Sequence, residues 1–454
     1  MKLFGSSGTR GVAISDLSPA FVLKVSQGAG SLWDVDRAAV ARDTRTTGEL
    51  FANAAAAGLA AVGSDVDRLG TIPTPAACAY AERRGVPCVM ITASHNPPEF
   101  NGVKLIGADG IELGVETLER VEDHVLTKEF ADATWQTVGA TRQVDGVSDA
   151  YIDGVLTALD RDRIAAAGLT VALDPGHGAG ALSSPDLFRQ LGCDVVTVNA
   201  QPDGHFPGRL PEPVPENLPD LQRLVTTSDA DLGIAHDGDA DRAVFVDEHG
   251  EYIEGDTSLA ALAATALEPG DATVAAVNVS QRLVDICNER DARLELTAIG
   301  ATNIITRVRQ LWTAGERVPI AGEGNGGILF PEHRLTRDGA YIAGKFLELV
   351  ADRPASDIVE PFREYYNVRR NLSYDSEAEL DAMLAAAKAH VRSVDTELDT
   401  TDGYRLDYGD AWVLVRPSGT EPKVRIYAEG QEQSRAESLA DEMQARLEEP
   451  LTSG

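Results

Sequence analysis

Val86-Pro87-Cys88-Val89-Met90-Ile91-Thr92-Ala93-Ser94-His95-Asn96-Pro97-Pro98 is an apolar run that gives way at Thr92 to a polar loop closed by two prolines. The run Val86–Ile91 has the length and continuous hydrophobicity of a buried strand. Upstream, apolar Ala38–Ala41 and the alanine-rich helical stretch Glu49–Val62 alternate with it, which is the rhythm of an α/β layer on parallel strands. A serine just past such a strand stands at the carboxyl edge of the sheet, where open α/β domains bind ligands, so Ser94 is a candidate nucleophile. His95 either braces this loop or moves protons. A polar turn held by serine and asparagine hydrogen bonds would read the same on these residues alone. A hydrolase is a weaker reading, because the Gly-x-Ser-x-Gly elbow is missing.

Working outward, the strand-then-loop theme recurs. A second unit begins near Tyr151, with strands at Leu169–Leu173, Asp194–Val198, Leu232–Ala235 and Ala243–Val246; its proline-rich stretch Pro202–Pro219 reads as a loop that leads into a helix. A third has helices at Asp256–Leu267 and Gln281–Arg290 and strands at Ala272–Val277, Arg293–Ala298 and Val318–Ala321. Three units of similar size suggest an internal repeat. Beyond about Pro361 the pattern turns α+β, with a helix over Ser376–Val391, antiparallel strands over Tyr404–Arg416 and Lys423–Ala428, and a polar helix to the end. The expected domains are 1–150, 151–253, 254–363 and 364–454.

Three further loops carry chemistry. Asp237-Gly238-Asp239-Ala240-Asp241-Arg242 sets carboxylates at alternate positions, and charges so close would raise one another's pKa unless a cation joined them. Hard oxygen ligands select magnesium or calcium. Glu248 falls at the twelfth position of a loop opened by Asp237, but an EF-hand fails: Arg242 holds the position that demands glycine, and a strand follows. A solvated acidic turn is the bland alternative. Gly322-Glu323-Gly324-Asn325-Gly326-Gly327 offers close backbone approach with an acceptor and a mixed donor-acceptor suited to sugar hydroxyls, although a turn that binds nothing would look similar. Arg416-Pro417-Ser418-Gly419-Thr420-Glu421-Pro422 combines a guanidinium fork, two hydroxyls and exposed amides, a cradle for a dianionic phosphate.

Charge bounds the partners. Seventy-two acidic residues against 40 basic ones leave −32, and only seven of the 40 are lysines. Such a surface repels nucleic acid and anionic lipid. Acid excess with so few lysines suits a protein kept hydrated at high salt, where screening removes the self-repulsion. No apolar run is long enough to span a bilayer, and Met1–Gly11 lacks a basic segment followed by an apolar stretch, so a cytoplasmic location is expected. The scattered Cys78, Cys88, Cys193 and Cys287 read as reduced, buried thiols.

A reactive serine, an acidic triad, a sugar loop and a phosphate loop, in this order, resemble the α-D-phosphohexomutase superfamily, as do Phe4-Gly5-Ser6-Ser7-Gly8-Thr9-Arg10-Gly11 and the Pro73-Thr74-Pro75 turn. The resemblance implies three mixed α/β domains and a C-terminal domain like the TATA-binding-protein fold, around a central cleft. It implies phosphoserine at Ser94, magnesium held by Asp237, Asp239, Asp241 and a phosphate oxygen, and a sugar bisphosphate that turns over in the cleft and also serves as activator. Arg416, Ser418, Gly419 and Thr420 would hold either phosphate, with the last domain closing over the ligand. Arg10, Lys104 and Arg242 match positions near the transferred phosphate. Lys104 is the candidate general acid/base, and as a base it would need a lowered pKa. Gly327 stands where many relatives have histidine, and Asn325 where they have serine, a form similar to archaeal members. The opening residues resemble the phosphoglucosamine mutase branch; a dual phosphomannomutase and phosphoglucomutase is the runner-up. A non-catalytic phosphosugar- or calcium-binding protein is the alternative from another class.

Overall fold

The computed structural model of the chain describes residues 4–5, 8–418 and 422–452 and contains four sheets. The first three share one unit. Its members are Arg37–Arg42, Asp65–Thr71, Cys88–Ile91 and Phe100–Ile106 in the first sheet; Thr170–Asp174, Asp194–Thr197, Leu232–Ala235 and Val244–Val246 in the second; and Ala272–Ala276, Arg293–Thr297, Ala321–Glu323 and Gly327–Phe330 in the third. In each unit the strand first in the chain lies in the middle, with the second and third parallel to it on either side. The fourth pairs with the third and runs antiparallel. The repeat suggested by the sequence is therefore one of topology. The two strands read in the first third, at Ala38–Ala41 and Val86–Ile91, pair in parallel, and the layer is mixed because the link from Ile91 to Phe100 falls short of the dozen or so residues a parallel crossover needs.

That last connection is where three of the four candidate loops sit. Residues 92–99, 236–243 and 324–326 all join a buried strand to its antiparallel neighbour at the same sheet edge. In the first domain the reversal also brings Phe100–Ile106 against Thr9–Val12, with Arg10 opposite Gly102 and Met90 opposite Lys104. One expected strand moves: pairing in the third sheet begins at Ala321 rather than Val318 and runs through Glu323. Pro319 has no N–H to give a ladder, while Val318 and Ile320 are buried without pairing.

The fourth sheet is wholly antiparallel, in the order Tyr366–Ser373, Lys423–Gly430, Ala411–Pro417, Tyr404–Asp407 and Glu397–Asp399, packed by helices Glu377–Ser393 and Gln433–Thr452. The single strand read over Tyr404–Arg416 is thus a hairpin, broken where Gly409 takes a φ of 85°. One apolar core runs through the junction of the first three domains, and the last has a core of its own. They meet through a small cluster of Val277, Trp412 and Leu414, where Arg405 lies over the Trp412 ring, 4.3 Å from its centre. Beside it, buried Glu429 accepts from the Trp412 indole N–H (3.0 Å) and the Gln281 backbone N–H (2.7 Å). Glu429→Ala orphans both donors at the docking contact, so a loss of about 1–3 kcal/mol, read as a lower urea midpoint, is expected.

Candidate active site

The serine loop is built from its backbone. Thr92 Oγ1 donates to Asp43 (2.7 Å) and accepts the Ser94 N–H (2.8 Å), which bends the chain directly after the strand. Ser94 itself has a φ of 50°, in the left-handed region that non-glycine residues rarely occupy. Fully buried, it donates through Oγ to Asp237 Oδ2 at 2.6 Å, bridging two residues 143 positions apart in the chain.

Asp237, Asp239 and Asp241 are each buried and bring one oxygen apiece within 4.8 Å of one another. Their countercharges come from three domains. Lys104 Nζ lies 3.0 Å from Asp239, 2.7 Å from Asp241 and 3.6 Å from Glu112. Arg337 Nη2 donates to Asp241 (2.6 Å), and its Nη1 stands 3.6 Å from Glu323. The Arg242 backbone N–H donates to Asp237 (3.2 Å), and its guanidinium donates to His95 Nδ1 (2.9 Å). Thr74 closes the turn, its hydroxyl donating to the Asp239 carboxylate (2.6 Å) and its N–H to the Asp239 carbonyl. Oδ1 of Asp239 and Oδ1 of Asp241 are buried without hydrogen-bond partners. Two orphaned hard oxygens beside Asp237 and the Ser94 hydroxyl fit a magnesium-type cation.

The electrostatics divide the triad. Burial, then Asp241 and Asp239, push the Asp237 carboxyl up to about 7. Burial would raise Asp241 as well, but Arg337, Lys104 and Arg242 outweigh it and hold that carboxyl well below the usual range. Lys104 runs opposite to the expectation for a base: burial opposes its charge, yet Asp239, Asp241 and Glu112 keep its ammonium above the ordinary lysine value. His95 is held well below its usual value by burial, with Arg242 and Arg10 adding to it, so its neutral ring accepts from Arg242. This geometry favours the bracing role. Arg10 also serves the loop, donating to the Asn96 side chain at 2.9 Å.

Glu323 joins the cluster through Arg337, while exposed Asn325 closes its own hairpin by accepting the Gly327 N–H (3.0 Å). Gly326, with a φ of 84°, packs on the exit of the acidic loop: its carbonyl accepts the Ala243 N–H, and a Cβ there would lie 2.5 Å from the Ala243 carbonyl oxygen. Arg416 does not join the cluster through any described contact. Its Nε donates to Asp402 (3.0 Å), whose other oxygen accepts the Ile299 N–H, and the Ser418 N–H bonds the Lys423 carbonyl. Gly419 and Thr420 lie outside the described residues. Neither Arg337 nor Thr74 stands in a motif that the sequence ties to a role, although Thr74 lies in the Pro73-Thr74-Pro75 turn.

Sequence models of one family match nearly the whole length: phosphoglucomutase/phosphomannomutase alpha/beta/alpha domain I over residues 1–132, domain II over 149–250, domain III over 254–365 and the C-terminal domain over 367–446. The chain belongs to the phosphoglucomutase/phosphomannomutase family. This phosphohexomutase is 37% identical over 462 residues to a phosphoglucomutase/phosphomannomutase of Thermococcus kodakarensis, with 99% of each chain covered. It is 36% identical over 446 residues to a chain of Methanopyrus kandleri named "probable phosphoglucosamine mutase", covering 97% of this chain and 96% of that one. Its fold superimposes with a TM-score of 0.84 on the crystal structure of a phosphoglucomutase/phosphomannomutase family protein from Burkholderia thailandensis, at 26% identity and 98% and 97% coverage. Among the described residues of the mutase, no helix is long and apolar enough to cross a membrane.

Asp237 gives a pH test. Its folded value lies above the usual 3.8, so between the two the folded chain keeps a proton the unfolded chain has released; that stabilising contribution is present at low pH and lost as pH rises through about 7. A divalent cation competes with this proton, so the Tm increase caused by Mg2+ is expected to grow from about pH 5 to about pH 8, and Asp237→Asn to flatten the profile. Scanning fluorimetry of EDTA-treated protein, with and without Mg2+, measures both.

Proposed function

We propose that this mutase interconverts hexose 6-phosphate and hexose 1-phosphate through a phosphoserine at Ser94 and a sugar bisphosphate, with glucosamine phosphate as its preferred substrate. The observation that carries the reading is the 2.6 Å contact between Ser94 Oγ and Asp237 inside the buried triad, since it puts a hydroxyl nucleophile on a ready-made cation site. Asp237, Asp239 and Asp241 would hold the magnesium ion, which supplies charge neutralisation at the phosphoryl group when bound.

The chain's own residues do the rest. Arg10, Arg242 and protonated Lys104 face the transferred phosphoryl, and their donors, held by existing hydrogen bonds, need little reorganisation as charge shifts between oxygens. Lys104 Nζ holds the proton available to a departing oxygen. Glu323 and Asn325 take the sugar hydroxyls. Arg416, Ser418, Gly419 and Thr420 take the distal phosphate, and closure of the last domain excludes the water that would otherwise hydrolyse phosphoserine. The last domain has a core of its own and can move as a unit. The acid excess supports work at high salt.

The name carried by the Thermococcus kodakarensis relative favours one second reading, dual specificity for glucose and mannose phosphates. Isomerisation rates on glucosamine, glucose and mannose 1-phosphates with Mg2+ at high salt decide: glucosamine is expected to show the highest kcat/KM, and a preference for the other two replaces this reading with the second. Intact mass is expected to show a fraction of the protein about one phosphate heavier, absent in Ser94→Ala, whose turnover falls by at least about 10³-fold.

A further inference from the structure

Behind the serine loop lies a buried guanidinium that touches the loop's own backbone and Asp43. Arg45 has no exposed side-chain surface. Its Nε donates to Asp43 (3.2 Å), its Nη1 to the carbonyls of Pro97 (2.6 Å) and Phe100 (2.9 Å), and its Nη2 to the carbonyls of Ser94 (2.8 Å) and Asn96 (2.6 Å). A guanidinium has five N–H donors, and here all five are used. Asp43 in turn accepts the Arg45 backbone N–H (3.0 Å) and the Thr92 hydroxyl, which is the acceptor for the Ser94 N–H. The peptide of Ser94 is therefore held on both sides, N–H through Thr92 and Asp43, carbonyl directly by Arg45.

The second domain seals this arrangement. Gly204 pairs with Arg45 in an isolated bridge, and the Phe206 ring lies under the guanidinium, 5.3 Å from ring centre to central carbon. Gly238, between the first two triad carboxylates, leaves room for the Ser94 carbonyl: a Cβ there would come within 2.6 Å of it. The same carbonyl is thus fixed by Arg45 on one side and abuts the acidic loop on the other.

We propose that Arg45, acting with Asp43 and Thr92, is a positioning residue for phosphoryl transfer: it holds Ser94 in its left-handed conformation so that Oγ points at Asp237. A non-glycine residue stays at φ 50° only where its surroundings over-determine it, and among the described residues no other side chain takes three of the loop's carbonyls together with that of Phe100 just beyond it. The reading rests on the proposed role of Ser94, and the test separates the two. Lysine offers three donors from a single point and cannot span those carbonyls, so Arg45→Lys keeps the charge but not the fork.

The experiment measures steady-state kinetics and Mg2+-induced Tm shifts for Arg45→Lys and for Thr92→Val, which removes the hydroxyl at nearly constant volume. Displacing a reacting group by about an ångström costs about 10²-fold in rate. Both variants are expected to lose kcat on that scale while KM and the response to Mg2+ stay within about twofold, because sugar and cation are held by other residues. A kcat within about twofold of the parent in either folded variant overturns the proposal, as does a loss that disappears when each protein is assayed at the same distance below its own Tm. Should Arg45→Lys not fold, Thr92→Val alone decides by the same kcat and KM criteria. An inactive parent chain, or one without phosphoserine, would instead sink the role of Ser94.

Discussion

Three carboxylates confined to one dry turn are the constraint on which this architecture rests. Asp237, Asp239 and Asp241 cannot stay buried together without compensating charge, and no single domain supplies enough of it. Lys104 comes from the first domain, Arg242 from the second and Arg337 from the third. The mutual placement of the three domains is therefore coupled to the neutrality of a single site, and their shared apolar core runs through the same junction. The compensation is uneven. Asp241 receives two close cations, whereas Asp237 has the Arg242 guanidinium no nearer than 3.7 Å and a hydroxyl proton from Ser94, so of these two the carboxyl beside Ser94 is the less compensated.

Buried arginines do a second kind of work, holding backbone rather than charge. Arg45 grips the serine loop. Arg209 does the same beneath the acidic loop, with Nε on Asp174 and Nη2 on the carbonyls of Asp174 and His236. Arg282 reaches the connector into the last domain through the carbonyls of Phe362 and Tyr365. In each case the fork gives hydrogen-bond donors to carbonyls of an irregular segment. Of the 40 basic residues only seven are lysines, and the choice matches this task, since an ammonium offers no planar fork.

What could be read from the chain follows from locality. Ser94 and the triad lie in short contiguous motifs directly after apolar runs, so their chemistry and their place at a sheet edge were both legible. Arg337 and Arg45 were not, because one meets its partner 96 residues away and the other bonds carbonyls, which every residue has. Strands Thr141–Gln143, Tyr366–Ser373 and Glu397–Asp399 escaped notice for a related reason: two are only three residues long, and the third is rich in polar side chains at a sheet edge.

The left-handed backbone at residue 94 also narrows which amino acid can serve there. Threonine has the same hydroxyl chemistry, but its extra methyl on Cβ crowds the flanking carbonyl in this region of φ and ψ, where β-branched residues are outliers. The backbone thus discriminates between two chemically interchangeable alcohols by shape alone.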